Sequence, residues 1–280
     1  MSLSISSPRK AVSTVVVYAI LLVLAALFAL PLAWVVLASL DPTAQMAIRW
    51  PENPSLANFE AILTEDITIR PLLNGLLIAG LGSAIVVVLA AIAAYPLSRY
   101  KARYNMPLIY GILFANALPV SAIMVPVYAL FLNLGLVDSL PGVIAFLAAH
   151  GLPYAIWMMK NFMDAVPIEL EEAAWVDGAS PAQALRRILL PLMGPAVTAI
   201  FIFNFIAMWG NFFVPFILLT DPAKLPIAVS IYGFFGNNGV IVYGQLAAFS
   251  LVYSLPVIVL YLLVSRSFNG AFRMSGGVKG

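Results

Sequence analysis

Cysteine is absent from the 280 residues, and histidine occurs once, at His150. Without thiols there is no disulfide framework and no thiolate chemistry, and a single imidazole rules out a His-rich metal site. Charge is scarce as well. Asp, Glu, Lys and Arg make up 9% of the chain and hydrophobic residues 63%, whereas soluble domains carry about 25% charged residues. A water-soluble fold is therefore excluded. No Gly-x-x-x-x-Gly-Lys-(Ser/Thr) phosphate loop occurs, so the chain does not hold ATP in that manner. Paired carboxylates, a nucleophile with its base and a metal cluster are missing too, which leaves no argument for a membrane enzyme. The 14 Lys and Arg form no long run, so the pI of 8.8 implies no nucleic-acid partner.

What is present is apolar sequence in long blocks. A bilayer span needs about 20 mostly apolar residues, and six stretches qualify, at approximately 12–40, 72–98, 106–131, 141–162, 192–220 and 243–265. The expected fold is all-α, a polytopic membrane protein of six transmembrane helices in a single domain over 1–280. With both termini inside, Arg9, Lys10, Arg99, Lys101, Arg103, Lys160, Arg186, Arg187, Arg266, Arg273 and Lys279 fall on the inner side. Only Arg49, Arg70 and Lys224 fall outside, so the positive-inside rule favours this orientation. Arg9-Lys10 before an apolar run looks like a signal peptide, but the run is too long for an h-region and reads as a retained first span.

The longest polar interruption of the second half is Glu171-Glu172-Ala173-Ala174-Trp175-Val176-Asp177-Gly178-Ala179-Ser180-Pro181, followed by Ile188-Leu189-Leu190-Pro191. Pro167 suits the first turn of a helix, and Glu169, Glu171 and Glu172 put negative charge near its positive end. Gly178 is a natural stop. Ser180-Pro181-Ala182-Gln183 is a capping-box pattern that starts a second helix, on which Arg186 and Arg187 lie. The segment 163–191 thus reads as helix, glycine elbow, helix, and on physics alone a plain cytoplasmic hairpin has the same pattern.

Glu172-Ala173-Ala174, then Gly178, Ile188, Leu190 and Pro191 at their spacings, resembles the EAA loop of ABC importer membrane subunits, with Asp177-Gly178-Ala179-Ser180 closest to the carbohydrate-uptake, maltose-type branch. The resemblance implies a coupling helix that docks in a cleft of a cytoplasmic ATPase, with Glu172 pairing a basic residue there and Gly178 permitting the elbow. Glu171, Glu172, Ala173, Ala174, Asp177, Gly178, Ile188, Leu190 and Pro191 are the coupling residues it implies. It also implies a heterodimer with a homologous permease, two ATPase subunits that bind ATP and Mg, an extracytoplasmic solute-binding protein and a sugar substrate. The chain itself would hold no cofactor. The location implied is the cytoplasmic (inner) membrane of a prokaryote.

Elsewhere the readings stay open. Residues 41–70 contain Asn58-Phe59-Glu60-Ala61-Ile62-Leu63, which suggests a short amphipathic helix at the outer interface; in the family this segment faces the delivered binding protein, and by itself it is a connector. Asn74, Gly75, Gly80, Gly82, Ala90 and Ala94 give the second span a small-residue packing face. Its exit, Tyr95-Pro96-Leu97-Ser98-Arg99-Tyr100-Lys101, is similar to the family's run into the inner loop. Asn116, Pro119, Ser121, Pro126 and Tyr128 make the third span either a pathway wall or a kinked packing helix, and Pro126-Val127-Tyr128 through Asp138-Ser139 again resembles carbohydrate permeases. His150 before Pro153 is a functional candidate by its depth, although the structural reading is favoured. Asn204, Met208 and Asn211 follow i, i+4, i+7 beside Trp209, a set suited to sugar hydroxyls and a pyranose face, or equally to interhelical hydrogen bonds. The family reads Trp-Asn-(Glu/Asp)-aromatic where this chain has Trp209-Gly210-Asn211-Phe212. The loop from Thr220-Asp221-Pro222 to Gly239 resembles one that reaches towards the binding protein, and the terminal Gly276-Gly277-Val278-Lys279-Gly280 resembles the family's tail.

The competing class is an ion-coupled carrier or channel. All 12 carboxylates fall in loops, and such carriers generally keep an ionisable group within the membrane, which leaves only His150 for proton coupling.

Overall fold

The computed structural model describes residues 8–100, 102–235 and 241–275. Lys101, the Gly236-to-Gly239 part of the last outer loop and the 276–280 tail lie outside the described residues, as do the side chains of Arg9, Lys10, Arg266 and Arg273. Every regular element among the described residues is helical. The all-α expectation holds because apolar blocks in a bilayer can satisfy their backbone groups only within the helix or in a closed barrel.

Two compact units are present, one within Met1–Thr64 and Ile231–Val252, the other within Glu65–Ser230 and Tyr253–Gly280. In the first, α1 (Pro8–Ser39) presents its apolar side chains outward, from Val16 to Leu32. Beyond it, buried Asp41 accepts hydrogen bonds from the Thr43 N–H (2.9 Å) and from Arg49 Nε (3.1 Å) and Nη2 (2.9 Å). The short helix α2 (Ala57–Ile62) lies where 58–63 suggested one; its Asn58 amide donates to the carbonyls of Ser39 (3.1 Å) and Asp41 (3.0 Å).

The second unit is built on α3 (Arg70–Arg99), followed by α4 (Asn105–Ala115), α5 (Val120–Leu134), α6 (Leu140–Asp164), α7 (Glu169–Val176), α8 (Pro181–Ala184), α9 (Leu190–Leu192), α10 (Gly194–Trp209), α11 (Phe213–Leu218) and α12 (Ile227–Ser230). Helix α13 (Tyr243–Ser275) begins in the first unit and runs into this one. The core is the packing of α3, α6 and α10 on one another. Small residues allow it: Ala79, Ala90 and Ala94 of α3 and Ala155 of α6 are fully buried. Gly75 lies against the Trp209 ring, and Gly82 against Met208, whose sulfur is 2.6 Å from where a Cβ would stand. Gly80, counted in the same face from sequence, has nothing beside it within 4 Å.

Among the described residues four helices are long and apolar enough to cross a membrane, and a fifth span is reached by counting as one a pair bent by 83°, Pro181–Leu192 with Gly194–Trp209. The apolar stretch 106–131 is divided between α4 and α5. Pro119 is the N-cap of α5 with an extended ψ of 132°, and having no N–H it cannot continue α4. The stretch 192–220 likewise stops at Trp209, with Gly210 as C-cap, and resumes in α11. Two π-helical turns, Glu65–Ile69 and Leu185–Leu189, each end two residues before a proline, Pro71 and Pro191. A proline ring clashes with the carbonyl four residues back, and a wider i→i−5 turn relieves that clash without ending the helix.

Candidate functional site

The 163–191 segment is assembled from local rules first. Helix α6 ends at Asp164, and α7 begins after the N-cap Ile168, so Pro167 stands just outside the first turn in which it was expected. Gly178 adopts φ +87°, the left-handed conformation that suits glycine. Its N–H bonds to the Trp175 carbonyl (3.0 Å) and the Ala179 N–H to the Ala174 carbonyl (2.9 Å), the two bonds of a Schellman stop. Two residues on, the Ser180 hydroxyl accepts from the Gln183 N–H (3.3 Å), and the Ser180 N–H donates to Gln183 Oε1 (2.8 Å). The capping box starts α8, which passes through the Leu185–Leu189 turn into α9.

The faces of α7 are sharply different. Glu169, Glu172, Ala173, Val176 and Asp177 are exposed, Val176 to 88%. Glu171 is 0% exposed, with Ala174 and Trp175 half-buried on the same side. The two adjacent glutamates therefore do different things. Glu171 Oε1 accepts from Arg99 Nε at 2.6 Å and Oε2 from the Tyr95 hydroxyl at 2.9 Å. The Arg99 side chain is 5% exposed, and its Nη2 also donates to the Val166 carbonyl (3.2 Å) and its Nη1 to Ser98 Oγ (3.2 Å). Ser98 in turn donates to Asp164 Oδ1 (2.6 Å), which pairs with Lys160 as well. The C-terminal ends of α3 and α6 and the helix α7 are thus joined by one polar cluster. Sequence reading saw the Tyr95-to-Arg99 run and missed this role; the signal was Tyr95 and Arg99 at i, i+4 facing one way.

Of the other coupling residues, Ile188 and Leu190 are half-buried and Pro191 is exposed. Between them Leu189, with Ala184 a turn earlier, is fully buried and seats the second half of the elbow.

The residues expected along a pathway fall in two groups. Asn204 and Met208 are buried in the core: the Asn204 amide donates to the Ile200 carbonyl (2.9 Å), its Oδ1 faces Gly151, and Met208 sulfur receives the Ser83 hydroxyl at 3.9 Å. Trp209 is 3% exposed, has Phe205 and Tyr253 as near-parallel ring neighbours (5.9 and 5.6 Å) and donates from Nε1 to the Tyr253 carbonyl (3.2 Å). Asn211 leaves their face, since the helix ends at Trp209, and its Oδ1 instead accepts from the Val214 N–H (3.0 Å) at the start of α11. Asn116, in the turn after α4, and Tyr128 of α5 are half-exposed. The His150 ring lies parallel to that of Phe146 at 6.3 Å. At the opposite end from the elbow, Asp138 takes the Thr220 and Asp221 N–H groups (2.9 and 3.0 Å) and the Lys224 ammonium (2.7 Å). The Lys224 bond and those two N–H groups hold the Asp138 carboxyl well below its usual range. Among the described residues no group of three or more His, Asp or Glu could hold a metal ion.

A helix–glycine–helix elbow is thus tied to the C-terminal ends of α3 and α6. Residues 86–270 match the family model described as "Binding-protein-dependent transport system inner membrane component". The chain belongs to that family. It is 31% identical over 254 residues to the trehalose transport system permease protein SugB of Mycobacterium tuberculosis, covering 90% of this chain and 92% of that protein. It is 30% identical over 248 residues to the maltose/maltodextrin transport system permease protein MalG of Vibrio vulnificus, with 82% and 83% covered. A chain from the crystal structure of a bacterial ABC transporter involved in the import of the acidic polysaccharide alginate superposes with a TM-score of 0.82 over 95% of this chain and 100% of that one, at 21% identity. This protein is a membrane-spanning permease component of an ABC importer. The ion-coupled carrier or channel has no support among these relatives.

Proposed function

We propose that this permease forms one half of the translocation pathway of a carbohydrate importer, paired with a homologous permease. Two separate ATPase subunits bind ATP and Mg and carry out the hydrolysis, one of them on the exposed face of α7, while an extracytoplasmic binding protein delivers the sugar. The chain itself is non-catalytic and lies in a prokaryotic cytoplasmic membrane with both termini inside. The observation that carries the reading is the division of labour on α7: Glu172, Ala173 and Val176 are exposed as a face for a partner, while Glu171 anchors the helix from behind.

The carbohydrate assignment draws on the relatives, which are named for trehalose, maltose or maltodextrin, and diacetylchitobiose. In this reading Asn116, Tyr128 and Asn211 lie on the surface that the second permease and the sugar share. Asn204, Met208 and Trp209 act from behind it by fixing how α10 packs on α3 and α6. ATP-driven approach of the ATPases pushes α7 and turns these helices, so that the cavity alternates its access.

The experiment is reconstitution with the partner permease, ATPase and binding protein, followed by uptake of radiolabelled trehalose and maltose and by ATPase retention on the purified membrane subunits. Wild type should retain the ATPase, and a Glu172→Lys, Gly178→Asp double variant should lose it with the fold intact. Equal retention by both would refute the docking face. Retention without uptake of either sugar, in the presence of a binding protein shown to bind them, would refute the substrate class.

A further inference from the structure

Glu171 precedes the docking glutamate and is the side chain of α7 that no partner can reach. Its carboxylate is fully buried, and both oxygens are engaged from α3, by Arg99 and Tyr95. Ion pairs between exposed groups contribute little because water competes for them. This one differs: both charges are out of water, its Nε···Oε1 distance is 2.6 Å, and the guanidinium also donates to Val166 and Ser98. Breaking such a pair strands an uncompensated buried charge, so the pair resists opening under load. The covalent route from α7 back to α6 passes through Ala165 to Ile168, where no helix is formed.

We propose that Arg99 and Glu171 are positioning residues that lock the coupling helix to span α3, so that α7 and α3 move as one body, with the non-helical 165–168 link held to the same Arg99 through the Val166 carbonyl. The inference rests on the reading of α7 as the ATPase-docking helix and adds the path by which its displacement enters the membrane: through α3 by a side-chain clamp 72 residues apart in sequence, rather than along the chain.

Because the chain has no cysteine, spin labels can be placed at Leu170→Cys, exposed at the start of α7 and outside the proposed docking residues, and at Val88→Cys on an exposed face of α3 in the assembled complex. Double electron–electron resonance then reads the α3–α7 distance without nucleotide and with Mg-ATP. With Glu171 present, one narrow distribution should persist in both states. In Glu171→Gln the distribution should broaden on ATP binding, and ATP turnover should fall about five-fold or more, the lower bound for a lost coupling between sites. A wild-type distance that changes between the two states overturns the clamp, and does so without any Glu171 variant having to fold. So does a Glu171→Gln complex with wild-type distances and turnover. An ATPase that fails to bind the labelled wild type would instead overturn the docking reading on which the inference stands.

Discussion

Replacing Gly178 isolates a single physical quantity. Its φ is +87°, and a Cβ built there would meet nothing within 4 Å. A substitution therefore causes no clash, and only the backbone conformation is penalised. For alanine that penalty is about 1–2 kcal/mol. Asparagine visits the left-handed region with help from its own side chain and should cost less; valine, β-branched, is a true outlier there and should cost more. The ceiling is set by what the Schellman stop contributes: two backbone bonds, at about 0.5–1.5 kcal/mol each. Above it the stop opens and Glu172 loses its fixed orientation. Hydrogen exchange at the Gly178 and Ala179 amides reads the local opening directly. Protection should fall in the order Gly, Asn, Ala, Val, with alanine lower by about 5- to 30-fold, the factor that 1–2 kcal/mol represents. If alanine matched glycine, or asparagine were the worst of the series, the elbow would not depend on the left-handed backbone.

Glu171→Ala and Glu172→Ala should separate in thermal unfolding of the detergent-solubilised complex: about 3–5 kcal/mol lost for the first, which strands buried Arg99, and within about 0.5 kcal/mol for the second, whose side chain is exposed. Gly151→Ala places a Cβ 2.5 Å from Asn204 Oδ1 and should cost about 1–3 kcal/mol as overpacking, visible as a lower melting temperature; the matched Gly82→Ala should cost less, because the obstructing Met208 sulfur and methyl belong to the far part of a flexible side chain. Ser180→Ala removes the N-cap and should lower protection of the 182–184 amides by about 1 kcal/mol. The Asp138 carboxyl titrates below its ordinary 3.8, so its stabilisation of the loop at Thr220 and Asp221 is complete above that value and is lost as the pH falls towards the folded-state value. Asp138→Asn should abolish this acid-side loss in a pH series of proteolysis at Lys224.

Much of the fold was legible because its causes are local or compositional. Apolar length announced the long helices, and Gly178, Ser180 and Gln183 announced the elbow through bonds spanning three to five residues. Periodicity misled at Asn211: i, i+4, i+7 spacing assumes an unbroken helix, yet α10 ends at Trp209 and the amide caps the next one. Pro119 was read as a kink within one helix, whereas its extended backbone ends one helix and begins another. The Glu171–Arg99 pair was only half legible: Tyr95 and Arg99 at i, i+4 marked the α3 side, but not the glutamate that meets it. Three neighbouring glutamates share the first turn of α7, and which of them turns inward depends on where α3 ends, a tertiary fact.

The 83° bend at Met193 sets the short arm Pro181–Leu192 nearly square to the span that follows it, as in a bell-crank. Under the proposed route through α3, on which α10 packs, a displaced α3 would carry α10 sideways about this bend. Apolar surface would then be exchanged for apolar surface within the hydrocarbon, whereas an arm coaxial with α10 would convert the same displacement into a shift of the helix towards the headgroups.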